Sequence, residues 1–203
     1  MHILGKIPKE EFIVACSGGK DSMVLVDFLL RYPQNKFSLA FFNHGTSDCI
    51  KAEVFLQQWS QERGLKLYKG KITRERSKSE SIEEYWRNER YKFLDSFNCT
   101  VLTAHHLDDV IETWVMSSIK GGNSLLIPYK RGNVIRPLLM VSKKEINEWC
   151  DKNVLKYVED ESNKNIVHLR NYVRHIVMPH VLKINPGIHT MLRKKLFKIY
   201  NKD

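Results

Sequence analysis

The sequence contains no pair of cysteines with the spacing of a metal site. Its four cysteines are scattered along 203 residues without a Cys-x-x-Cys motif, and no zinc-binding spacing is present. Three of them lie in apolar or aromatic surroundings, so we expect buried, unpaired thiols in a reducing cytoplasm. The cysteines are Cys16, Cys49, Cys99 and Cys150.

Long apolar runs are also missing. No segment approaches the roughly 20 apolar residues that a membrane span requires. The first residues, Met1 to Lys6, contain no long apolar stretch followed by a small-residue cleavage site, so secretion is not expected. The sequence therefore predicts a cytoplasmic protein without a membrane partner. Its length suits one domain, or one domain with a small appendage.

Acidic side chains are scarce near the C-terminus. The whole chain has 33 Lys and Arg residues against 23 Asp and Glu residues, and residues 164–203 contain nine of the basic residues with one acid. Binding to a phosphate backbone needs such a concentration, because each neutralised phosphate releases counterions. Nucleic acid is the favoured partner. A solvated basic face, an acidic protein and a membrane surface are the alternatives.

A Walker phosphate loop is absent, since the spacing Gly-x-x-x-x-Gly-Lys-Ser/Thr does not occur. Instead, an apolar run at residues 12–16 leads into Ser17-Gly18-Gly19-Lys20-Asp21-Ser22 and then into an amphipathic helical pattern. Glycines let the backbone approach an anion, and a helix N-terminus presents unpaired N–H groups. The pattern resembles the PP-loop of ATP pyrophosphatases, which split ATP between its α and β phosphates. The alternative is an ordinary polar turn.

Apolar segments rich in β-formers alternate with helical patterns over the first 120 residues. Such alternation predicts an α/β fold, a Rossmann-like parallel sheet with helices on both faces. Polar clusters follow several strands, and ligands of such sheets bind beyond the carboxyl ends of the strands. We predict strands at 12–17, 37–43, 65–69 and 100–104, and helices at 21–31, 52–64, 81–97 and 108–120.

The alternation weakens after residue 123. We predict a helix at 142–153, opened by a capping box of Ser142 and Glu145. A second helix is expected at 167–181 and a basic helix after Pro186. These features predict a main domain at residues 1–155 and a basic helical segment at residues 156–203 packed on it or next to it.

Histidines and carboxylates are dense between residues 103 and 113. His105, His106, Asp108, Asp109 and Glu112 follow a predicted strand and open a helix. Asp109 and Glu112 share one helix face, and carboxylates placed in this way can coordinate Mg²⁺ or hold an ammonium group. Zinc is disfavoured because no third soft ligand lies nearby. Acidic capping of the helix accounts for one of the two aspartates.

The motifs resemble, in type and in order, those of the tRNA(Ile)-lysidine synthetases, a family of N-type ATP pyrophosphatases. The resemblance covers roughly residues 10–188 of this chain. The matching segments are residues 17–22, Asn43-His44-Gly45, Arg87 with Arg90-Tyr91-Lys92-Phe93, His105-His106-Leu107-Asp108-Asp109 with Glu112-Thr113, Arg136-Pro137-Leu138-Leu139, Asp160-Glu161-Ser162-Asn163, and Arg170-Asn171-Tyr172-Val173-Arg174 with Pro179.

The resemblance implies an enzyme with ATP as co-substrate, Mg²⁺ as cofactor, and two further substrates. Family members adenylate the C2 oxygen of the wobble cytidine of a tRNA(Ile) with a CAU anticodon. The amine of free L-lysine then displaces AMP and gives lysidine, with pyrophosphate released in the first step.

The resemblance also implies a role for each matching residue. Asp21 would help to position Mg²⁺, and His106 would lie against the adenylate. Asp109 and Glu112 would bind the ammonium groups of lysine. The implied catalytic residues are Asp21, Arg87, His106, Asp109, Glu112 and Arg174; the implied ATP-binding residues are Ser17, Gly18, Gly19, Lys20, Asp21, Ser22, His44 and His105; the expected tRNA-binding residues are Arg136, Arg170, Arg174, Arg193, Lys194 and Lys195.

Local structure offers other roles for three of these residues. Arg87 lies among Glu83, Glu84 and Glu89, where an exposed ion-pair face of a helix is the alternative. His44 could be a residue of a strand-end turn. Arg136 could be a loop residue before a proline.

The chain departs from the family pattern at two places. Thr46-Ser47 stand where the family usually has Leu-Arg, and Lys120-Gly121-Gly122-Asn123 replaces Arg-Gly-x-Gly. Many relatives also add C-terminal domains that grip tRNA, so we expect a short form. The oligomeric state is left open, with a homodimer as one option.

Two other functions compete with the lysidine reaction. One is another PP-loop tRNA-modifying enzyme such as a cytidine thiolase, which the missing Cys-x-x-Cys motif disfavours. The other is a non-catalytic nucleotide- or RNA-binding derivative. The intact residues Asp21, Asp109 and Glu112 argue against such decay.

Overall fold

The computed structural model describes residues 1–119, 121, 126–159, 166–167 and 169–200. Within these residues, a six-stranded sheet has the strand order β3-β2-β1-β4-β6-β5. The strands from β3 to β6 run parallel, and the edge strand β5 is antiparallel to β6. The strands are β1 (Phe12–Ala15), β2 (Phe37–Asn43), β3 (Leu67–Lys71), β4 (Val101–Leu102), β5 (Lys130–Arg131) and β6 (Val134–Ile135).

Helices cover both faces of this sheet, which confirms the predicted α/β class. Side chains cap several of them, since Thr46 and Ser81 accept N–H bonds from the first turns of α2 and α3. The predicted capping box of Ser142 and Glu145 is present at the start of α5. The helices are α1 (Lys20–Leu30), α2 (Ser47–Gln61), α3 (Ile82–Asp95), α4 (Leu107–Ile119), α5 (Lys143–Lys152), α6 (Leu169–Tyr172), α7 (Met178–Ile184) and α8 (Ile188–Tyr200), with a π-helical turn (Val173–Val177) between α6 and α7.

The predicted elements match in kind and differ at their ends. The strand expected at 12–17 stops at Ala15, because the backbone then turns into the polar loop before α1. The helix expected at 167–181 is divided into α6, the π-helical turn and α7. The sequence-based prediction missed the hairpin of β5 and β6. The expectations at 160–163, at Lys120 and at 122–123 lie outside the described residues.

Strands β1 and β2 form the centre of the core. Phe12 and Val14 of β1 are fully buried, and β2 is buried along nearly its whole length. A parallel strand that is covered on both faces reads as a continuous apolar run, which explains why these strands were evident from the sequence. Alternate side chains pack against α1 and α5 on one face and α3 on the other.

The last helix packs against α4. Leu192 and Leu196 of α8 share an apolar cluster with Leu107, Ile111 and Val115 of α4. This contact places the start of α4, where the histidines and aspartates lie, between the sheet and the basic helix. The domain division at residue 155 stays a prediction.

Two features predicted from composition can be compared with the structure. The four cysteines are unpaired; Cys16 and Cys150 are buried, and Cys49 and Cys99 are half-buried. None of the helices in the described ranges is long and apolar enough to cross a bilayer.

Gly70 allows close packing between the edge strand β3 and α3. A Cβ atom at Gly70 would lie 2.6 Å from Cδ2 of Phe93, whereas a Cβ atom at Gly187 would have no neighbour closer than 3.5 Å. We expect Gly70→Ala to lower the free energy of unfolding by about 1–3 kcal/mol through overpacking. Gly187→Ala serves as the matched control in denaturant titrations. Equal stabilities of the two variants would contradict this account of the β3–α3 contact.

Candidate active site

A cleft of about 680 Å³ opens at the carboxyl edge of the sheet. This is where ligands bind in parallel α/β sheets, because helix N-termini and strand ends converge there. Its walls come from the turns after β1, β2 and β4 and from segments around α5 and α6. Among the residues that line it are Ser17, Gly19, Lys20, Asp21, Ser22, His44, Arg90, His105, Asp109, Lys143, Tyr157, Arg170 and Arg174.

The turn between β1 and α1 has the geometry of an anion cradle. Gly18 has a φ of +77°, a conformation that other residues rarely adopt, so glycine is needed there. Ser22 Oγ donates to Gly19 O at 2.8 Å and accepts from Ser17 N at 3.2 Å, which fixes the turn internally. In the described part of the chain, no side chain caps α1 at Gly19. The first N–H groups of α1 therefore remain for a ligand.

Lys20 extends from this turn along the cleft. Its Nζ donates to Asn147 Oδ1 at 3.2 Å and lies 5.0 Å from the centre of the Tyr157 ring. Burial lowers the pKa of Lys20, but Tyr157 and other neighbours outweigh that effect and raise it. The ammonium group is therefore charged and placed next to the cradle. Asn147 and Tyr157 were not identified from the sequence, since each lies far from the motif along the chain.

Asp21 faces a buried histidine. Its Oδ2 lies 3.5 Å from His106 Nε2, and its Oδ1 forms an ion pair with Lys143. Burial raises the pKa of Asp21, yet His106 and Lys143 together lower it below its usual value. The carboxylate is therefore ionised. Lys143 was also missed by sequence reasoning, because nothing local to α5 indicates a partner on α1.

His106 is the centre of a charged network. Its Nε2 lies 3.7 Å from Asp109 Oδ2, and its Nδ1 lies 3.8 Å from Asp108 Oδ2. Burial lowers the pKa of His106, but Asp109 and Asp21 raise it further than burial lowers it. The folded protein thus favours the imidazolium form, which joins the cradle residue Asp21 to the first turn of α4.

The carboxylates Asp109 and Glu112, which were predicted to share a helix face, form ion pairs with arginine. Arg174 Nε and Nη2 donate to Glu112 at 2.7 and 3.0 Å, and Nη2 lies 3.4 Å from Asp109 Oδ1. Glu112 is 2% exposed and is also 3.4 Å from Arg170 Nε. Asp109 accepts from the N–H of His106 at 3.0 Å. Burial raises the pKa of Asp109, while the surrounding cations lower it by more.

Arg174 reaches this pair from the π-helical turn. Such turns are uncommon and occur frequently at functional sites, because the extra residue redirects the side chains that follow. Arg170, one turn earlier, also donates to Thr113 Oγ1 at 2.8 Å. The structure therefore brings Asp109, Glu112, Arg170 and Arg174 together. The sequence predicted a shared helix face for Asp109 and Glu112, but not their pairing with the two arginines.

His105 and His44 lie on the walls of the cleft. His105 Nδ1 is 2.9 Å from Thr103 Oγ1. Burial lowers the pKa of His105 to about 3, against the effect of Asp109 and together with nearby arginines including Arg90. The His44 ring packs between Phe42 and Trp86, at 5.0 and 5.5 Å between ring centres.

Other predicted residues are not among those that line the cleft. Arg87 is exposed on α3 and stacks on the Tyr91 ring at 4.9 Å, without the ion pairs to glutamate that were the alternative, as far as the described residues extend. Arg136 is 1% exposed, so its guanidinium is enclosed in protein and not available to RNA in this structure. Lys194 and Lys195 are exposed on α8.

The helix α8 is tied to the site by polar contacts that the sequence did not reveal. His189 Nε2 lies 3.1 Å from Asp108 Oδ1, and Asp108 Oδ2 accepts from Lys143 N at 2.6 Å. Arg193 donates to Met140 O at 2.8 Å and pairs with Glu145. His189 and Arg193 thus support the first turns of α4 and α5, although the sequence predicted that Arg193 binds tRNA.

Comparison with known proteins gives consistent results. The family model of the PP-loop domain matches residues 1–181. The tRNA(Ile)-lysidine synthase of Lactiplantibacillus plantarum is 32% identical over 89% of this chain and 44% of its own length, and that of Thermosipho africanus is 35% identical over 87% and 45%. The chain therefore spans less than half the length of these curated relatives.

A solved structure shares the fold. The U34-tRNA thiolase NcsA from Methanococcus maripaludis, with its [4Fe-4S] cluster, superposes with a TM-score of 0.77. The match covers 98% of this chain and 76% of that one at 17% identity. At this identity the likeness concerns the fold alone.

Replacing His105 should change how stability depends on pH. The pKa of His105 is about 3 in the folded protein, against an ordinary value of 6.5 for a solvated histidine. Between these values the unfolded chain binds the extra proton, so the free energy of unfolding falls as the pH drops. We expect His105→Gln to lose less stability than the wild type between about pH 7 and pH 5 in urea titrations. The exposed residue His2 provides the control, His2→Gln. A wild-type pH dependence in His105→Gln would contradict the prediction.

Proposed function

The chain belongs to the PP-loop domain family, and on that basis we propose that it forms the ATP-cleaving part of a tRNA-modifying ligase of the lysidine type. In this reaction the C2 oxygen of a cytidine is adenylated, and the amine of free lysine then displaces AMP. The observation that carries the proposal is that the anion cradle and the paired carboxylates Asp109 and Glu112 belong to one connected network at one edge of the sheet.

The cradle suits the leaving group of the first step. Attack of the C2 oxygen on the α-phosphorus of ATP breaks the bond to the bridging oxygen, and negative charge grows on the departing pyrophosphate. Free N–H groups of α1 and the Lys20 ammonium are aimed at that charge, and fixed donors of this kind stabilise a transition state without reorganisation. The seryl hydroxyls of Ser17 and Ser22 hold the turn in shape.

Asp21 suits a role in holding Mg²⁺. Proteins usually bind Mg²⁺ through one or two carboxylates together with substrate phosphates, and not in a cage made by protein alone. Asp21 is ionised and partly exposed, and no three His, Cys, Asp or Glu side chains form a cage in the described part of the chain. When bound, the ion would neutralise charge between the phosphates.

The second step needs a place for an ammonium group, and Arg174 pairs with the two carboxylates that we propose for it. An incoming adenylate carries a phosphate that attracts the Arg174 guanidinium, which lies at the cleft and is one third exposed. Movement of Arg174 toward this phosphate would free Asp109 and Glu112 for the lysine ammonium. Because the pKa of Asp109 is held low, this carboxylate binds the ammonium and does not serve as the base that takes its proton.

The deciding experiment follows pyrophosphate release. The chain is incubated with ATP, Mg²⁺ and a tRNA(Ile) transcript with a CAU anticodon, with and without lysine, and the RNA is digested for mass analysis of its nucleosides. We expect pyrophosphate release that requires RNA. We also expect the nucleoside analysis to find a lysine adduct on one cytidine. A sulfur-containing nucleoside formed with a sulfide donor would favour the thiolase alternative. ATP and RNA binding without turnover would favour a non-catalytic derivative.

The role of Asp109 in lysine binding can be tested separately from nucleotide binding. We expect Asp109→Asn to raise the KM for lysine by about 10- to 100-fold, the loss of a hydrogen bond to a charged group, while ATP affinity is retained. The control is Asp95→Asn, because Asp95 is exposed at the far end of α3. Retained ATP affinity also shows that the variant is folded. A KM for lysine equal to that of Asp95→Asn would remove Asp109 from the lysine site.

A further inference from the structure

Four arginines surround one tyrosine ring at the border of the cleft. The guanidinium carbons of Arg131, Arg87 and Arg90 lie 4.0, 4.9 and 5.6 Å from the centre of the Tyr91 ring. Arg136 Nη2 donates to Tyr91 Oη at 2.7 Å. We call these five residues the Tyr91 cluster. They come from α3, from β5 and from the end of β6, so the fold assembles them from separate parts of the chain.

The positive charge of the Tyr91 cluster is not neutralised by carboxylates of the described residues. Within these ranges, none of its arginines forms an ion pair. Burial lowers the pKa of Arg87 and Arg90, and neighbouring arginines lower it further, which reports their mutual repulsion. By contrast, the arginines that pair with carboxylates are Arg31, Arg63, Arg74, Arg170, Arg174 and Arg193.

One member of the cluster holds the tyrosine ring in place. Arg136 is enclosed, with Nη1 donating to Pro128 O at 2.7 Å and Nη2 to Tyr91 Oη, while its Nε has no hydrogen-bond partner among the described residues. These contacts fix the Tyr91 ring, which is itself 3% exposed. A ring buried in this way cannot stack on a nucleobase, so the cluster offers guanidinium groups and not an aromatic platform.

An anion is the ligand that such a cluster can bind. Planar guanidinium groups suit phosphate oxygens, and an incoming phosphate would relieve the repulsion between the arginines. Arg131 and Arg87 are exposed, whereas Arg90 and Tyr91 line the cleft. The anion would therefore approach from solvent and lie beside the cleft. His105 and Arg170 lie close by. Arg90 and Arg136 lower the pKa of His105, and Arg170 lowers the pKa of Arg90.

The position of the cluster favours a polymer phosphate over a nucleotide phosphate. The cradle of residues 17–22, which has its own cation in Lys20, already provides for the pyrophosphate of ATP. A second anion site that is open to solvent and separate from the cradle fits a ligand whose phosphates are spaced along a chain, as in an RNA strand. We propose that the Tyr91 cluster binds a backbone phosphate of the RNA strand next to the nucleotide that reacts. This inference rests on the proposed function in that it takes RNA as the substrate.

The experiment measures RNA binding, not turnover. A short RNA stem–loop with CAU in its loop is titrated with the chain at several salt concentrations, using fluorescence anisotropy. We expect Arg131→Ala to weaken binding about tenfold, as for loss of a charge-assisted hydrogen bond, and to lower the salt slope of log Kd by about 1. Arg131→Lys should retain the slope and recover part of the affinity, because it keeps the charge and loses the planar donor group.

Arg63→Ala is the matched control. Arg63 is exposed, lies after α2 at the amino edge of the sheet and pairs with Glu62. This variant should bind the stem–loop with the affinity and salt slope of the wild type. Thermal melting checks that both alanine variants are folded, which is expected because both side chains are exposed.

Two results of the binding assay would overturn the proposal. In the first, Arg131→Ala and Arg63→Ala bind RNA equally well. In the second, Arg131→Ala loses affinity for ATP and keeps its affinity for RNA, which would assign the cluster to the nucleotide. Neither result depends on lysine or on catalysis, so the assay still tests the cluster if the chain does not make lysidine. Conversely, lysidine formation by Arg131→Ala with an unchanged KM for RNA would reject the RNA-binding role of the Tyr91 cluster and leave the proposed function in place.

Discussion

Carboxylates that are removed from water are stabilised by cations placed beside them, and this constraint shapes the acidic side of the cleft. Removing one member of a buried ion pair leaves an uncompensated charge at a cost of about 3–5 kcal/mol. Here His106 satisfies Asp21 and Asp109, and Arg174 satisfies Glu112. The protein thus tolerates a dense set of carboxylates because its own cations neutralise them.

Such pairing gives the site two kinds of charge. The carboxylates of the cleft are compensated by cations of the protein, and a cationic substrate, if the proposed function holds, would compete with Arg174 for them. The arginines around Tyr91 are not compensated by carboxylates in the described ranges, and an anionic ligand would meet no such competitor. Under the proposed function, a cationic small molecule and a polyanion would bind side by side and depend differently on salt. Screening weakens contacts of exposed charges such as Arg131 more than those of the buried Glu112.

The sequence predicted the parts of the molecule whose cause is local. A continuous apolar run predicted β1, a glycine turn predicted the cradle, and the spacing of Asp109 and Glu112 predicted a shared helix face. It did not predict β5, because Lys130 and Arg131 are exposed polar residues whose strand conformation depends on pairing with β6. The same limit applies to side-chain partners far apart in the chain.

Long-range contacts account for most of the remaining differences. Lys143 is 122 residues from Asp21, and Arg174 is 62 residues from Glu112, so neither pair leaves a periodic signal. Arg136 was expected to bind tRNA because it lies in one of the motifs that carry the family resemblance. Its burial is decided by Pro128 and Tyr91, which the fold brings to it. The residues of the motif were thus identifiable, while their ionic partners were not.

The contacts of α8 have a consequence for the order in which the molecule is made. His189 holds Asp108, and Arg193 holds Glu145 and the carbonyl of Met140, so the first turns of α4 and α5 are completed by residues synthesised long after them. A ribosome-bound chain that has exposed the whole sheet but not α8 still lacks these supports. The sheet and the cradle can form during translation, but the charged network at the cleft is finished only once α8 has emerged.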